Sequence, residues 1–149
     1  MTGKNTLIET TSEQNQSYWS DTKKLLEDND PRVKNYGAVN LLVNMTPELL
    51  EKDYDTYKEG FDLTLRALSF KDTETTLYYP IRVCAVCTLI NVLEHIQKNP
   101  KPEYAAIYAE AALAIEDKAY DRKEHIRVRF PANEAVRTYL EGYRKNIFR

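Results

Sequence analysis

The sequence predicts an all-α chain of about six helices, stacked as three antiparallel hairpins, and three observations carry that reading. First, one helical register starts at Val33, Ile81 and Val128, 48 and then 47 residues apart. Each anchor is followed directly by a basic residue (Lys34, Arg82, Arg129) and at the fourth position by a small one (Gly37, Ala85, Ala132). Apolar residues recur at the eighth position (Leu41, Leu89, Val136) and the twelfth (Met45, Leu93, Leu140). Self-similarity at such a period is the trace that stacked helical hairpins leave in a sequence. Second, all six prolines fall at or just before expected helix starts, where the missing N–H costs nothing; in a helix interior each would cost about 3 kcal/mol. Third, four glycines are few for the tight turns of an all-β fold.

Residues 1–12 read as a polar tail and 13–149 as a single helical-repeat domain. A helix poor in apolar residues (Tyr18, Trp19, Leu25, Leu26) is expected over 12–27. Asp30-Pro31 opens the next, with Asp as N-cap and Pro in the first turn. Val33, Gly37, Leu41 and Met45 form its stripe. Thr46-Pro47 opens one continuous helix carrying Leu50, Tyr54, Tyr57, Phe61, Leu65 and Leu68, whose steps of three and four fit a helix and not a strand. A polar loop follows from Phe70 to Tyr79. Pro80 then opens the most apolar helix, Ile81 to Ile96, greasy on nearly every side and so expected at the centre.

Asn99-Pro100-Lys101-Pro102 ends that helix. The next, from Pro102 to Ala119, repeats the earlier long one: Tyr57, Phe61, Leu65 and Leu68 return 47 residues later as Tyr104, Tyr108, Ala112 and Ile115. A basic connection from Tyr120 to Phe130 leads to Pro131 and a last helix with Ala135, Val136, Tyr139, Leu140 and Tyr143. The first hairpin's outer helix matches least, with Glu9, Glu13 and Ser17 in place of Tyr57, Phe61 and Leu65. A polar outer face suits a terminal repeat.

The stretch LLEDNDPRVKNYGAVNLL, residues 25–42, resembles a HEAT repeat, and IRVCAVCTLINVL (81–93) and VRFPANEAV (128–136) resemble further copies. The resemblance covers about residues 15–145 and implies a HEAT-like α-solenoid whose second helices line the concave side. It also implies that acidic and basic residues of neighbouring repeats bond to one another, a role that would fall to Asp30, Lys34, Arg82 and Arg129. The second repeat departs from the pattern, since the nearest acid before Arg82 is Glu74, inside a longer loop.

Composition narrows the function. A chain of 149 residues, 42% apolar and 30% charged, is ordinarily one globular domain. A net charge of −2 argues against coating nucleic acid by bulk electrostatics. The start has no apolar stretch of signal-peptide length, and nothing later approaches a membrane helix, so a cytoplasmic protein with reduced thiols is expected. Gly-rich phosphate loops, G-x-S-x-G and H-E-x-x-H are absent from the sequence.

Cys84-Ala85-Val86-Cys87 has redox or zinc spacing but lacks a second ligand pair, so it reads as two small buried hydrophobes on the central helix. His95 reads as a cation suited to a helix C-terminus, or as simply exposed. Glu51 and Asp55 fall on a solvated helix face, and the tyrosines on the helix stripes read as core with hydroxyls at the rim. No cofactor, metal or small-molecule substrate is expected.

From Asp117 to Arg149 there are nine Lys or Arg against five Asp or Glu, so a net −6 lies on residues 1–116. Together with exposed loop tyrosines this predicts a non-enzymatic protein–protein interaction module, whether adaptor, regulatory subunit or inhibitor. The candidate partner-binding residues are Lys34, Tyr78, Tyr79, Arg82, Tyr120, Arg122, Lys123, Arg127 and Arg129. Two alternatives are a nucleic-acid-binding repeat protein using the basic C-terminal hairpin, and an immunity or antitoxin protein neutralising a toxin. An enzyme using Cys87 or His125 is the least supported reading.

Overall fold

The structure, a computed structural model, describes residues 18–71 and 81–141. Among these every regular element is helical, as the periodicity predicts. Seven α-helices occur: α1 (Ser20–Glu27), α2 (Pro31–Asn44), α3 (Pro47–Lys52), α4 (Tyr54–Leu68), α5 (Ile81–Lys98), α6 (Ala105–Tyr120) and α7 (Ile126–Ala135). A 3-10 turn, Pro102–Tyr104, precedes α6, and a π-helical turn, Val136–Glu141, continues α7. Expectations for Tyr78, Tyr79, Pro80, Tyr143 and the tail lie outside the described residues.

The proline starts hold at three places. Asp30 caps α2 by accepting the Arg32 amide at 2.9 Å, and Thr46 caps α3 by accepting the Leu49 amide at 3.2 Å. Pro31 and Pro47 occupy the first turns of those helices, and Pro102 opens the 3-10 turn.

Two boundaries differ from expectation, besides Tyr18 and Trp19, which were expected in the first helix and lie in a turn before α1. The single helix read from Pro47 to Leu68 is broken at Asp53, whose non-helical backbone (φ −148°, ψ 84°) separates the two helices. Its carboxylate accepts both the Thr56 amide (3.1 Å) and the Thr56 hydroxyl (2.7 Å). A short acidic side chain that satisfies the new helix's free amides makes the break cheap. The second difference is Pro131, expected to open the last helix but found inside α7. The helix starts earlier because His125 caps it, Nδ1 accepting the Arg127 amide at 3.1 Å. That early start also buries Val128 completely. Much of the expected basic connection is therefore helix, and Pro131 deprives the Arg127 carbonyl of its usual donor.

The helix expected at the centre is there. α5 packs against α2, α4, α6 and α7, while α1 packs on α2 and α6 on α7. Ile81, Val86, Leu89, Val92 and Leu93 of α5 are fully buried, joined in the core by Leu41, Tyr57, Phe61, Ile107, Ile115 and Leu140. The stripe tyrosines only partly match the rim reading. Tyr108 Oη accepts from Gln97 at 3.0 Å, but the Tyr57 hydroxyl is buried without a hydrogen-bond partner.

Small residues permit the closest approaches. A Cβ on Gly37 would lie 2.9 Å from Leu26 Cδ2. On Gly60 it would lie 2.5 Å from both Met45 Sδ and the Trp19 ring. Trp19 is pinned there by its indole N–H, which donates to the Thr56 carbonyl at 2.7 Å.

Alanine at position 60 would gain about 1 kcal/mol in helix propensity. Overpacking against a fixed ring and a thioether costs about 1–3 kcal/mol. Gly60→Ala is therefore expected to lower stability by a net of about 1 kcal/mol, measured as a reduced urea midpoint with an unchanged m-value. A stabilised variant would mean that Trp19 yields freely.

Candidate interaction surface

The basic residue that follows each anchor has one local role in all three copies. Lys34 donates to the Leu26 carbonyl at the end of α1, at 2.8 Å. Arg82 Nη1 donates to the Phe70 carbonyl just past α4. Arg129 Nη1 reaches the Arg122 carbonyl just past α6, at 3.4 Å. A cation here answers the partial negative charge and orphan carbonyls of a helix C-terminus. Each thus ties the start of one helix to the end of the helix before it.

Two of these cations also reach forward. Lys34 Nζ lies 4.7 Å from the centre of the Phe70 ring. Arg82 forms a bidentate pair with Glu124, Nη2–Oε1 2.7 Å and Nε–Oε2 3.1 Å. Lys118 adds a third charge, 3.1 Å from the same carboxylate, whose side chain is only 3% exposed. The acid–base contact that the family resemblance assigned to Asp30 is therefore absent there: Asp30 pairs with Arg32 of its own helix. Glu124 supplies it instead. It is the one acid within the run Arg122 to Arg129, a signal that the sequence reading passed over.

Burial by itself raises the Glu124 carboxyl, but hydrogen bonds from Arg82, the His125 amide and Lys118 outweigh it and hold it below its ordinary value. The cluster borders a cleft of about 300 Å³ also lined by Lys71 and Lys123.

The remaining candidates are placed as follows. Tyr120 is the last residue of α6 and is exposed. Arg122 and Lys123 are exposed in the turn after it, and Arg127 is exposed in the first turn of α7. The structure brings Arg82 and Lys123 to one cleft, and it separates Lys34, Arg82 and Arg129, engaged in the braces, from the exposed Arg122, Lys123 and Arg127. His125 is used as a helix cap.

The two cysteines are free. Burial pushes the Cys84 thiol up to about 11 and raises that of Cys87 as well, so neither is favoured as a thiolate. His95 is not the C-terminal cation expected. Burial lowers its pKa, and its Nδ1 is buried without a hydrogen-bond partner.

One line of α5 stays partly open: Val83, Cys87, Ile90 and Glu94 are half-buried at helical spacing, as are the polar Arg82, Asn91, His95 and Gln97. Val39 of α2 is likewise half-buried. Arg32 and Arg127, each one residue before its anchor, are exposed on α2 and α7. No helix among the described residues is long and apolar enough to cross a membrane, and no group of metal-ligating side chains occurs among them. Comparison with protein-family models, curated proteins and solved structures gave no significant match.

Replacing Arg82 by Ala leaves a buried carboxylate with Lys118 and the His125 amide. A destabilisation of about 3 kcal/mol is expected, the low end for a broken buried pair because one partner remains, read from urea unfolding.

The pH dependence has a definite sign. The carboxyl is held below its ordinary 4.5, so its stabilising contribution is complete above that value and is lost as pH falls through the lower folded value. The stability deficit of Glu124→Gln should accordingly be largest at neutral pH and shrink on acidification below 4.5. A deficit independent of pH would remove the charge from the explanation.

Proposed function

We propose that the chain is a non-enzymatic interaction module, a short array of three stacked helical hairpins that binds a protein partner on the face lined by α2, α5 and α7. The array reading is supported by the recurring brace, in which one register position holds the end of the preceding helix at Leu26, Phe70 and Arg122. It is supported too by the packing order, in which α2, α5 and α7 follow one another as neighbours.

The observation that carries the binding reading is the open line on α5. Most of the helix is buried, yet Val83, Cys87 and Ile90 keep an apolar strip half uncovered. Arg32, whose guanidinium also pairs with Asp30, and Arg127 stand one residue before their anchors on α2 and α7, the helices packed beside α5. An apolar strip with guanidinium edges suits a partner segment that is apolar at its centre and acidic at its margins. The nucleic-acid alternative loses ground because Lys34, Arg82 and Arg129 are spent on internal carbonyls and Glu124.

The test is affinity capture from the source cell with the wild type and with Arg32→Glu/Arg127→Glu. The double variant should lose a specifically captured protein by at least about tenfold, whereas Lys52→Glu on α3 should retain it. Equal capture by all three chains would end the proposal.

A further inference from the structure

Relative to each anchor, neighbouring positions face opposite ways along the chain of helices. The first position looks forward: Lys34 covers Phe70, and Arg82 pairs with Glu124. The second also looks forward, since Asn35 hydrogen-bonds the Cys84 thiol of the next hairpin. The third looks back, because Cys84 is itself the third position after Ile81, and it is only 4% exposed against that neighbour.

At the two ends of the array the outward positions carry exposed apolar side chains. Tyr36 is the third position of the first hairpin, and Val43 lies two turns further along the same side; both are 65% exposed. Phe130 is the second position of the last hairpin and is 60% exposed. Ile126, one turn before it, is 56% exposed. An array that ends as a monomer normally presents polar caps. This one exposes large apolar groups at both ends. Where a neighbour exists, the counterpart of Tyr36, Cys84, is buried, and the counterparts of Val43, Phe130 and Ile126 (Asn91, Val83 and Pro31) are half-buried.

The charges of the ends complement each other. Arg82 meets Glu124, which lies five residues ahead of the next basic position, Arg129. The equivalent place ahead of Lys34 is Asn29, within the acidic turn Glu27-Asp28-Asn29-Asp30. In a head-to-tail contact the place opposite Arg129 would be Asn29, flanked by Asp28 and by Asp30, the latter paired with Arg32.

We propose that the chain associates head to tail, with Ile126 and Phe130 of one copy packing on Tyr36 and Val43 of the next and Arg129 facing Asp28. This rests on the stacked-hairpin reading above. The contact is heterologous, so it builds a closed ring or an open string rather than a simple symmetric dimer.

Sedimentation velocity on the full chain should show mass increasing with concentration from micromolar to millimolar. Tyr36→Glu and Phe130→Glu, both at exposed positions, should each weaken association at least about tenfold. An equimolar mixture of the two variants should recover one junction and stop at a dimer, a result that two like faces cannot produce. A wild type that stays monomeric at millimolar concentration, or association indifferent to both variants, overturns the proposal. An NMR contact between Asn35 and Cys84 separates the two failures. A monomer that keeps it refutes end-stacking alone, and its absence refutes the stacked hairpins beneath.

Discussion

Enclosure of α5 is the constraint on which the other helices depend. Eighteen residues from Ile81 to Lys98 place apolar side chains around most of the helix, and such a helix is stable in water only when neighbours cover it. Four helices do so. α2, α4, α6 and α7 all pack on it. The small residues at the repeated fourth position, Gly37, Ala85 and Ala132, are all buried, which lets helix backbones come close enough to leave no void.

Electrostatics then fixes how consecutive helices meet. The ends of α1, α4 and α6 each present a carbonyl to a cation from the helix that follows, and the middle cation also serves a buried carboxylate. A carboxylate this enclosed is tolerable because Arg82, Lys118 and the His125 amide share its charge. The same arrangement explains why a run of positive charge need not be a docking surface. Part of the basic excess near the C-terminus is neutralised by the chain's own Glu124 and helix ends, so the excess seen in the sequence overstates the charge offered to solvent.

Legibility in the sequence followed the locality of each cause. The starts at Pro31, Pro47 and Pro102 were readable because a cap and a proline act within one turn. The break at Asp53 was not, because Leu50, Tyr54 and Tyr57 keep helical spacing straight across it and the pattern gives no sign of a restart. Pro131 misled for the opposite reason: its local preference was overridden by the burial of Val128 one turn earlier. Among the candidate contact residues, exposure of Tyr120 was correctly anticipated, whereas the internal engagement of Lys34, Arg82 and Arg129 was hidden, since a basic residue looks the same in sequence whether it faces solvent or a carbonyl.

The sequence by itself determined that this protein is helical, where most of its helices start, and that the segment from Ile81 onward is the one buried. Periodicity and capping are properties of neighbouring residues, so they are written within one or two turns of sequence. Only the tertiary structure decided which cation meets which acid, that His95 and Tyr57 carry buried atoms without hydrogen-bond partners, and which line of α5 stays open. Those outcomes depend on residues up to 42 positions apart being brought within hydrogen-bonding distance, and no local pattern encodes that distance.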